Sequence, residues 1–111
     1  MDRALLIYTT FPTEEAALAV GETLVADGLA ACVNVLPGTR SVYAWQGRIE
    51  RSTEVTAIVK TRAVHREAAG AALKARHPYE MPVILYLEPA GADPDTLAWL
   101  MAATAGNGAR D

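Results

Sequence analysis

Cysteine, aromatic side chains and long apolar runs are all scarce in this sequence of 111 residues. The single cysteine, Cys32, cannot form a disulfide within the chain, so we expect a reducing compartment and a cytoplasmic protein. No uncharged apolar run approaches the roughly 20 residues of a membrane-spanning helix, and the run from Ala4 to Tyr8 is too short for a signal peptide. We therefore expect no membrane partner.

Excess positive charge and phosphate-binding loops are also missing. The net charge is −3 and the isoelectric point is about 5.3, which argues against a nucleic-acid partner. The turn after the first predicted strand reads TTFPT, without the glycines that cradle a phosphate. No acid–base pair or activated nucleophile stands out, so we expect that the protein is not an enzyme.

The composition is that of an ordinary globular domain, with 51% hydrophobic and 21% charged residues. A chain of this length buries about 65% of its surface on folding, which is enough for a core without metals or disulfides. We therefore expect one domain over residues 1–111, with residues 106–111 as a frayed tail.

Short apolar, β-branched segments alternate with helical patterns along the chain. The first predicted helix begins after Thr13, its expected N-cap. It ends before Gly28, which is expected to adopt the left-handed conformation that terminates a helix. A turn at Gln46-Gly47 makes the next two strands a long hairpin, which bends at Pro37-Gly38. The predicted strands are 3–10, 30–36 with 41–45, 48–62 and 83–88, and the later helices are 64–76 and one from Asp93-Pro94. This order predicts an α+β, ferredoxin-like βαββαβ sandwich with a long central hairpin and an extra C-terminal helix.

The predicted strands carry apolar side chains on both faces, as in LLIY, AIV and VILYL. In an antiparallel sheet with one solvent-exposed face, apolar and polar residues alternate along each strand, and these segments lack that alternation. Burial of each such side chain is worth about 1.5 to 3 kcal/mol, and one C-terminal helix covers only part of the second face. We therefore expect a homo-oligomer in which other subunits cover the rest.

Cys32 and His77 are candidate metal ligands, because thiolate and imidazole suit copper or zinc. They form no spacing motif, so a buried cysteine and a helix-terminal histidine are the alternative interpretation. A Cys-His nucleophilic pair is less favoured, since no cationic residue or helix start adjoins Cys32 to activate it. We interpret the other histidine, His65, as a solvent-exposed residue in the first turn of the second helix.

An aromatic and carboxylate set is formed by Tyr43, Trp45, Tyr79 and Trp99 with the nearby Glu80. Amphipathic rings near hairpin tips often anchor interfaces, and a ligand cleft is the alternative interpretation. Lys60 is the candidate cationic residue of that cleft. The charged residues of the third predicted strand are Glu50, Glu54, Lys60 and Arg62. We interpret them as ion-pair partners between strands or subunits, and a clamp for substrate charge is the less favoured alternative, since they contain no clustered acid–base pair.

Several distinctive motifs follow one another along the chain. They are Tyr8-Thr9-Thr10 with Pro12, 30–38 (AACVNVLPG), 41–50 (SVYAWQGRIE), 54–62 (EVTAIVKTR), 77–82 (HPYEMP) and the helix of Trp99. The most specific pieces are ACVN-x-LPG, Y-x-W-x-G-x-I-E and HPYE. Taken in order, these motifs resemble those of the CutA family of divalent-cation tolerance proteins, from about residue 4 to residue 104.

The resemblance implies a ferredoxin-like subunit in a tight homotrimer, with long hairpins that interlock the subunits. The family is similar in architecture to PII-type signalling proteins and is associated with tolerance to copper and other divalent cations, with no established catalytic activity. It therefore implies a non-enzymatic trimer with Cu(II) or another divalent cation as its ligand. The alternative is a PII-like sensor that binds a small molecule in the cleft between subunits.

The resemblance transfers metal ligands only in part. In some bacterial relatives copper binding is linked to a cysteine at the end of the first strand and to paired histidines before Pro-Tyr. The matching positions here are Thr9 and Arg76-His77, so His77 alone is retained from that set. Cys32 lies in the matched ACVN segment, and the metal candidates remain His77 and Cys32.

Overall fold

The computed structural model of the protein describes residues 2–109, and it describes side-chain surroundings as far as residue 105. Within that range, strands and helices follow the predicted order. The strands are β1 (Ala4–Phe11), β2 (Cys32–Trp45), β3 (Arg48–Arg62) and β4 (Leu85–Leu87). The helices are α1 (Glu14–Ala26), α2 (Arg66–Arg76) and α3 (Pro94–Ala109), and a 3₁₀ turn at Ala63–His65 precedes α2.

The strands of the described range form one antiparallel sheet in the order β2-β3-β1-β4. β1 lies inside the sheet, where Tyr8 is opposite Ile58 of β3 on one side and Leu85 of β4 on the other. Two split βαβ halves combine in this strand order to give a ferredoxin-like sheet. The predicted α+β fold class is therefore confirmed.

Helix α1 begins and ends where its sequence signals predict. The Thr13 side chain accepts a hydrogen bond from the Ala16 amide at 3.1 Å, which satisfies one of the free amides of the first turn. At the other end Gly28 adopts a positive φ of 72°. The Leu29 amide then donates to the Leu24 carbonyl, and the Gly28 amide to the Val25 carbonyl. This pair of bonds is a Schellman motif, which only an αL residue such as glycine allows.

The β2–β3 hairpin extends well beyond β1. Gln46 and Gly47 both have positive φ, at 51° and 78°, as a two-residue turn that matches the strand twist requires. The bend predicted at Pro37-Gly38 is a register shift between Leu36 and Thr39, after which the ladder resumes to Trp45. The hairpin therefore forms an arm, and the longest dimension of the molecule is 46 Å.

One face of the sheet packs against α1 and α2 to form the core. On β1 this face carries Leu5, Ile7 and Phe11, all nearly inaccessible to solvent. Helix α2 approaches the sheet so closely at Gly70 that a Cβ atom there would collide with the Tyr86 hydroxyl of β4. The other buried apolar residues of this cluster are Ala17, Val20, Leu24, Leu29, Ala30, Val55, Ala57, Val59, Ala69 and Leu73.

The second face of the sheet is apolar but largely open. In register it carries Leu6, Tyr8, Ile58, Leu85 and Leu87, and the last two are 53% and 46% exposed. Helix α3 covers only the end of this face, where the Thr104 hydroxyl accepts a hydrogen bond from Arg62 Nε at 2.8 Å. No helix in the described part of the chain is both long and apolar enough to cross a membrane.

Several predicted boundaries differ from the structure by one or two residues: β1 ends at Phe11 instead of residue 10, β2 begins at Cys32 instead of residue 30, and α2 begins at Arg66 instead of residue 64. β4 covers only Leu85–Leu87 instead of residues 83–88, because side-chain contacts described below occupy the edge of β1 beyond Tyr8. Helix α3 continues to Ala109, through the first four residues of the segment expected to fray; residues 110–111 lie outside the described range.

Candidate functional site

His77 lies where the end of α2 meets the free edge of β1. The helix stops at Arg76, and His77 is extended (φ −75°, ψ 136°) because Pro78 disfavours helical geometry in the residue before it. That turn directs the imidazole against β1, and only 9% of the residue remains exposed. The ring stacks on Phe11 with centroids 4.3 Å apart and planes 11° apart.

Both ring nitrogens of His77 are hydrogen-bonded. Nε2 donates to the Thr10 carbonyl at 2.8 Å and lies 3.2 Å from the Thr9 hydroxyl. Nδ1 accepts from the Tyr79 amide at 3.1 Å. Since a carbonyl only accepts and an amide N–H only donates, the imidazole is the neutral Nε2–H tautomer. β4 pairs with β1 only as far as Tyr8, so the Thr10 carbonyl has no partner in β4. The imidazole supplies the hydrogen bond that this carbonyl would otherwise lack.

The surroundings of His77 favour its neutral form. Burial lowers the pKa of the imidazole, and the hydrogen bond to Thr10 and the charge of Glu54 only partly offset that effect. Protonation would also place a proton on Nδ1, which would then face the Tyr79 amide donor. His77 is therefore poorly suited to carry a positive charge here.

Tyr79 and Glu54 form the second half of the cluster. The Tyr79 hydroxyl donates to Glu54 Oε1 at 2.8 Å. Burial raises the pKa of Glu54, but hydrogen bonds from Ser41, Tyr79 and Thr10 outweigh it and hold that pKa below its ordinary value. Burial, together with the carboxylate of Glu54, raises the pKa of Tyr79 to about 12. An ionised carboxylate therefore faces a phenol that keeps its proton.

The side chains of this His77 cluster (Thr9, Thr10, Phe11, Glu54, His77 and Tyr79) connect three segments of the chain by hydrogen bonds and ring stacking. They tie the loop after α2 to the end of β1 and, through Glu54, to the base of the hairpin arm. The Nδ1 lone pair of His77, which a general base at this position would need, is occupied by the Tyr79 amide. The cluster is organised to hold geometry and to present the exposed edge of Tyr79.

Of the predicted cleft residues, Tyr79 belongs to the cluster and Tyr43 lies near it. Tyr43 is close enough to Tyr79 to raise the pKa of that phenol. Trp45 lies two residues further along the same face of the arm and is 52% exposed. Glu80 is exposed, and Glu54 is the carboxylate that Tyr79 contacts.

Lys60 lies far from the other predicted cleft residues within one subunit. It is six residues along β3 from Glu54, which is about 20 Å of strand. Trp45 is opposite Arg48 at the far end of the arm, and Lys60 is opposite Cys32. A cleft that includes both Trp45 and Lys60 therefore requires two subunits.

The residues around His77 do not fit a metal centre within one subunit. The Nδ1 lone pair is occupied by the Tyr79 amide, and Thr9 supplies a hydroxyl where a soft ligand would be needed. Cys32 lies at the register of Leu6, about 13 Å along the strands from Thr10 and two strands away. No group of three or more metal-ligating side chains occurs in the part of the chain that the structure describes.

Several residues of the cluster were missed by sequence reasoning. Glu54 was interpreted as an ion-pair residue, but its partners are hydroxyl groups. Phe11 and Thr10 carried no signal, since their roles arise only when the loop after α2 returns to β1. The register of β3, which puts Glu54 opposite Thr39 on the face that bears Tyr43, became visible only in the structure.

The expectation that His65 is solvent-exposed is wrong. His65 ends the 3₁₀ turn and is 9% exposed, and its Nε2 donates to the Thr104 carbonyl of α3 at 3.0 Å. Arg62 joins the same contact and also lies 3.4 Å from the Asp2 carboxylate. The position of α3 decides this burial, and local sequence around His65 does not reveal it.

Comparison with known proteins agrees with the fold and the motifs. The sequence model of the CutA1 divalent ion tolerance protein family matches residues 5–103. The chain belongs to this family. The divalent-cation tolerance protein CutA of Pectobacterium atrosepticum is 40% identical over 99 residues, which are 89% of this chain and 90% of that protein. The resemblance inferred from the sequence motifs is confirmed.

Solved structures of family members share the whole architecture. CutA1 from Ehrlichia chaffeensis has a TM-score of 0.90 and 34% identity, over 94% of this chain and 97% of its own. A protein from Archaeoglobus fulgidus, described as the periplasmic divalent cation tolerance protein CutA, has a TM-score of 0.87 and 34% identity, over 91% and 98%. The arm and the sheet of this chain are therefore features of the family fold.

Proposed function

We propose that this protein is a non-catalytic homotrimer that acts in divalent-cation tolerance. Family membership supports the cation-tolerance role. The observation that carries the assembly is the open apolar face of the sheet, together with the arm that continues it. A lone subunit would leave Leu85, Leu87, Tyr43 and Trp45 in water, and burial of each is worth about 1.5 to 3 kcal/mol.

Native mass spectrometry tests the assembly. The wild-type chain is expected as a trimer, and Trp45→Asp is expected to weaken it, because a charge would then be buried in an apolar contact. Gln46→Asp is the matched control, since it places the same charge on the adjacent turn residue, whose αL conformation aspartate accepts. A wild-type monomer contradicts the proposal, and an unchanged Trp45→Asp trimer places Trp45 outside the interface.

We propose further that Cu(II) binds this chain weakly, with His77 as its main ligand. Cys32 of the same subunit lies too far away to be a second ligand. Copper can reach Nδ1 only if the Tyr79 amide leaves it, and that bond must be broken at a cost. The same spectra recorded with added Cu(II) test this step. Uptake that is lost in His77→Gln and kept in Cys32→Ser supports it, and no uptake at millimolar copper refutes it without affecting the assembly.

The alternative function is a PII-like sensor that binds a small molecule between subunits. The observation that favours it is the exposed aromatic pair Tyr43 and Trp45 on the face that also bears Glu54 and Tyr79. Lys60 would be supplied by a neighbouring subunit. A thermal-shift screen of metabolites tests it, since a ligand at 100 times its Kd adds about 2.7 kcal/mol of stability. A flat screen counts against the sensor.

We propose a cytoplasmic location, in keeping with the single thiol Cys32. The Archaeoglobus fulgidus relative is described as periplasmic, so location requires its own test. Fractionation of cells that express the native gene is expected to recover the protein with the cytoplasmic fraction. Recovery in the periplasmic fraction would contradict the proposal.

A further inference from the structure

Two arginines lie side by side on the arm, on the face opposite Tyr43 and Trp45. In the β2–β3 register Arg40 is opposite Thr53, and Val42 is opposite Arg51. Side chains alternate along a strand, so these four residues share one face, which continues the helix-side face of the sheet. Diagonal neighbours in a sheet are about 7 to 8 Å apart, within reach of long side chains. The two guanidinium groups can therefore meet at one ligand.

These arginines have no carboxylate to neutralise them. On the arm, Glu50 and Glu54 point to the opposite face, where Glu50 lies 3.1 Å from Arg48. Neither Arg40 nor Arg51 takes part in an ion pair among the side chains that the structure describes. The arginines that do are Arg3, Arg48, Arg62 and Arg66. A pair of unneutralised cations is thus held together in a chain whose net charge is −3.

A shallow depression lies between the two arginines. Its lining consists of Arg40, Ser41, Val42, Arg51, Ser52 and Thr53. Thr53 adds a hydroxyl donor opposite Arg40, and Val42 adds an apolar wall beside Arg51. The side chains that point into it are therefore two cations, the Thr53 hydroxyl and the small apolar Val42, with no carboxylate among these lining residues. Ser41 and Ser52 line it through their backbone, since their side chains alternate to the opposite face.

We propose that this depression binds a phosphate group, either of inorganic phosphate or of a small phosphate monoester. Each guanidinium presents a planar fork of N–H donors that matches two oxygens of a phosphate, and two forks with a hydroxyl match a tetrahedral dianion. The site goes beyond the proposed cation-tolerance role. It also lies on the face that the proposed trimer contact does not use, so each can be tested without the other.

Calorimetric titration with inorganic phosphate and, separately, with glycerol phosphate tests the site in the full-length wild-type protein. Saturable binding is expected, and Arg40→Gln and Arg51→Gln are each expected to raise Kd by about tenfold or more. Arg48→Gln is the control, since it removes the same charge from the opposite face of the same arm. Binding equal for both ligands identifies inorganic phosphate, and tighter binding of the monoester identifies a phosphorylated small molecule that contacts Val42.

Three results would overturn the proposal. Absence of saturation at millimolar ligand would show that the depression does not hold phosphate. An equal loss of affinity in Arg48→Gln would show that overall charge, and not this pair, attracts the anion. A change in subunit number in Arg40→Gln or Arg51→Gln, without phosphate binding by the wild type, would show that the arginines bind carboxylates of another copy of the chain.

Discussion

Replacement of His77 by alanine is the most direct test of the His77 cluster, which connects β1, the loop after α2 and the arm. The change removes the donor to the Thr10 carbonyl, the acceptor of the Tyr79 amide and the ring stacked on Phe11. A buried polar group left unpaired costs about 1 to 3 kcal/mol, and a stacked ring pair is worth about 0.5 to 1.5 kcal/mol. The Tyr79 amide is only partly buried and can regain water, so the Thr10 carbonyl and the stacked ring dominate, and we expect a loss of about 1.5 to 4.5 kcal/mol.

Guanidinium denaturation followed by far-UV circular dichroism measures this loss, at one fixed protein concentration because the proposed assembly would contribute to stability. Arg76→Ala is the control: Arg76 is exposed and adjacent, and its loss should cost less than about 1 kcal/mol. His77→Phe restores a ring against Phe11 without the hydrogen bonds. It is expected to recover only the stacking part, about 0.5 to 1.5 kcal/mol.

A His77→Ala variant that is no less stable than Arg76→Ala would refute the stabilising role of the imidazole. Full recovery by His77→Phe would also contradict it, because the ring would then matter only as an apolar filler. Either result would mean that the edge of β1 is satisfied without the imidazole.

Three further predictions concern pH and packing. The pKa of His77 in the folded protein lies below its unfolded value of about 6.5, so the unfolded chain takes up the proton first as the pH falls. The free energy of unfolding should therefore decrease as the pH drops below about 7. In denaturation curves between about pH 7 and 5, His77→Phe should flatten this slope. Gly70→Ala should destabilise by about 1 to 3 kcal/mol despite the better helix propensity of alanine, and adding Tyr86→Phe should recover part of the loss; a gain in melting temperature from Gly70→Ala alone would contradict the close contact. Thr104→Val should cost about 1 to 2 kcal/mol and speed hydrogen exchange in α3, since Arg62 Nε loses the hydroxyl that accepts from it and keeps only its longer contacts to the Thr104 carbonyl and Asp2. Unchanged exchange would refute this role of the hydroxyl.

Most of the fold was predictable because its signals are local. Thr13 and Gly28 fix the ends of α1 through their own side-chain and backbone chemistry, and Gln46-Gly47 sets the hairpin turn by its positive φ. The apolar residues on both faces of the strands predicted a sheet whose second face is not covered by its own helices. In the structure, Leu85 and Leu87 are indeed left exposed.

The candidate site was predictable only in part. The sequence alone pointed to His77, for its imidazole, and to Tyr79, for its amphipathic ring. It could not pair Tyr79 with Glu54, 25 positions earlier, because that contact depends on the register of β3 against β1 and on the return of the loop. It also could not show that Cys32 and His77 lie far apart.

The sequence by itself determined the order of elements, their caps and turns, the acidic charge of the chain and its membership in the family. Tertiary structure decided which atoms meet. It left Nδ1 of His77 to the Tyr79 amide, buried His65 beneath α3 and placed Arg40 beside Arg51 with no carboxylate on their face. The physical reason is that these contacts join segments distant in sequence, and their distances follow from strand register and helix docking, which no local pattern of residues encodes.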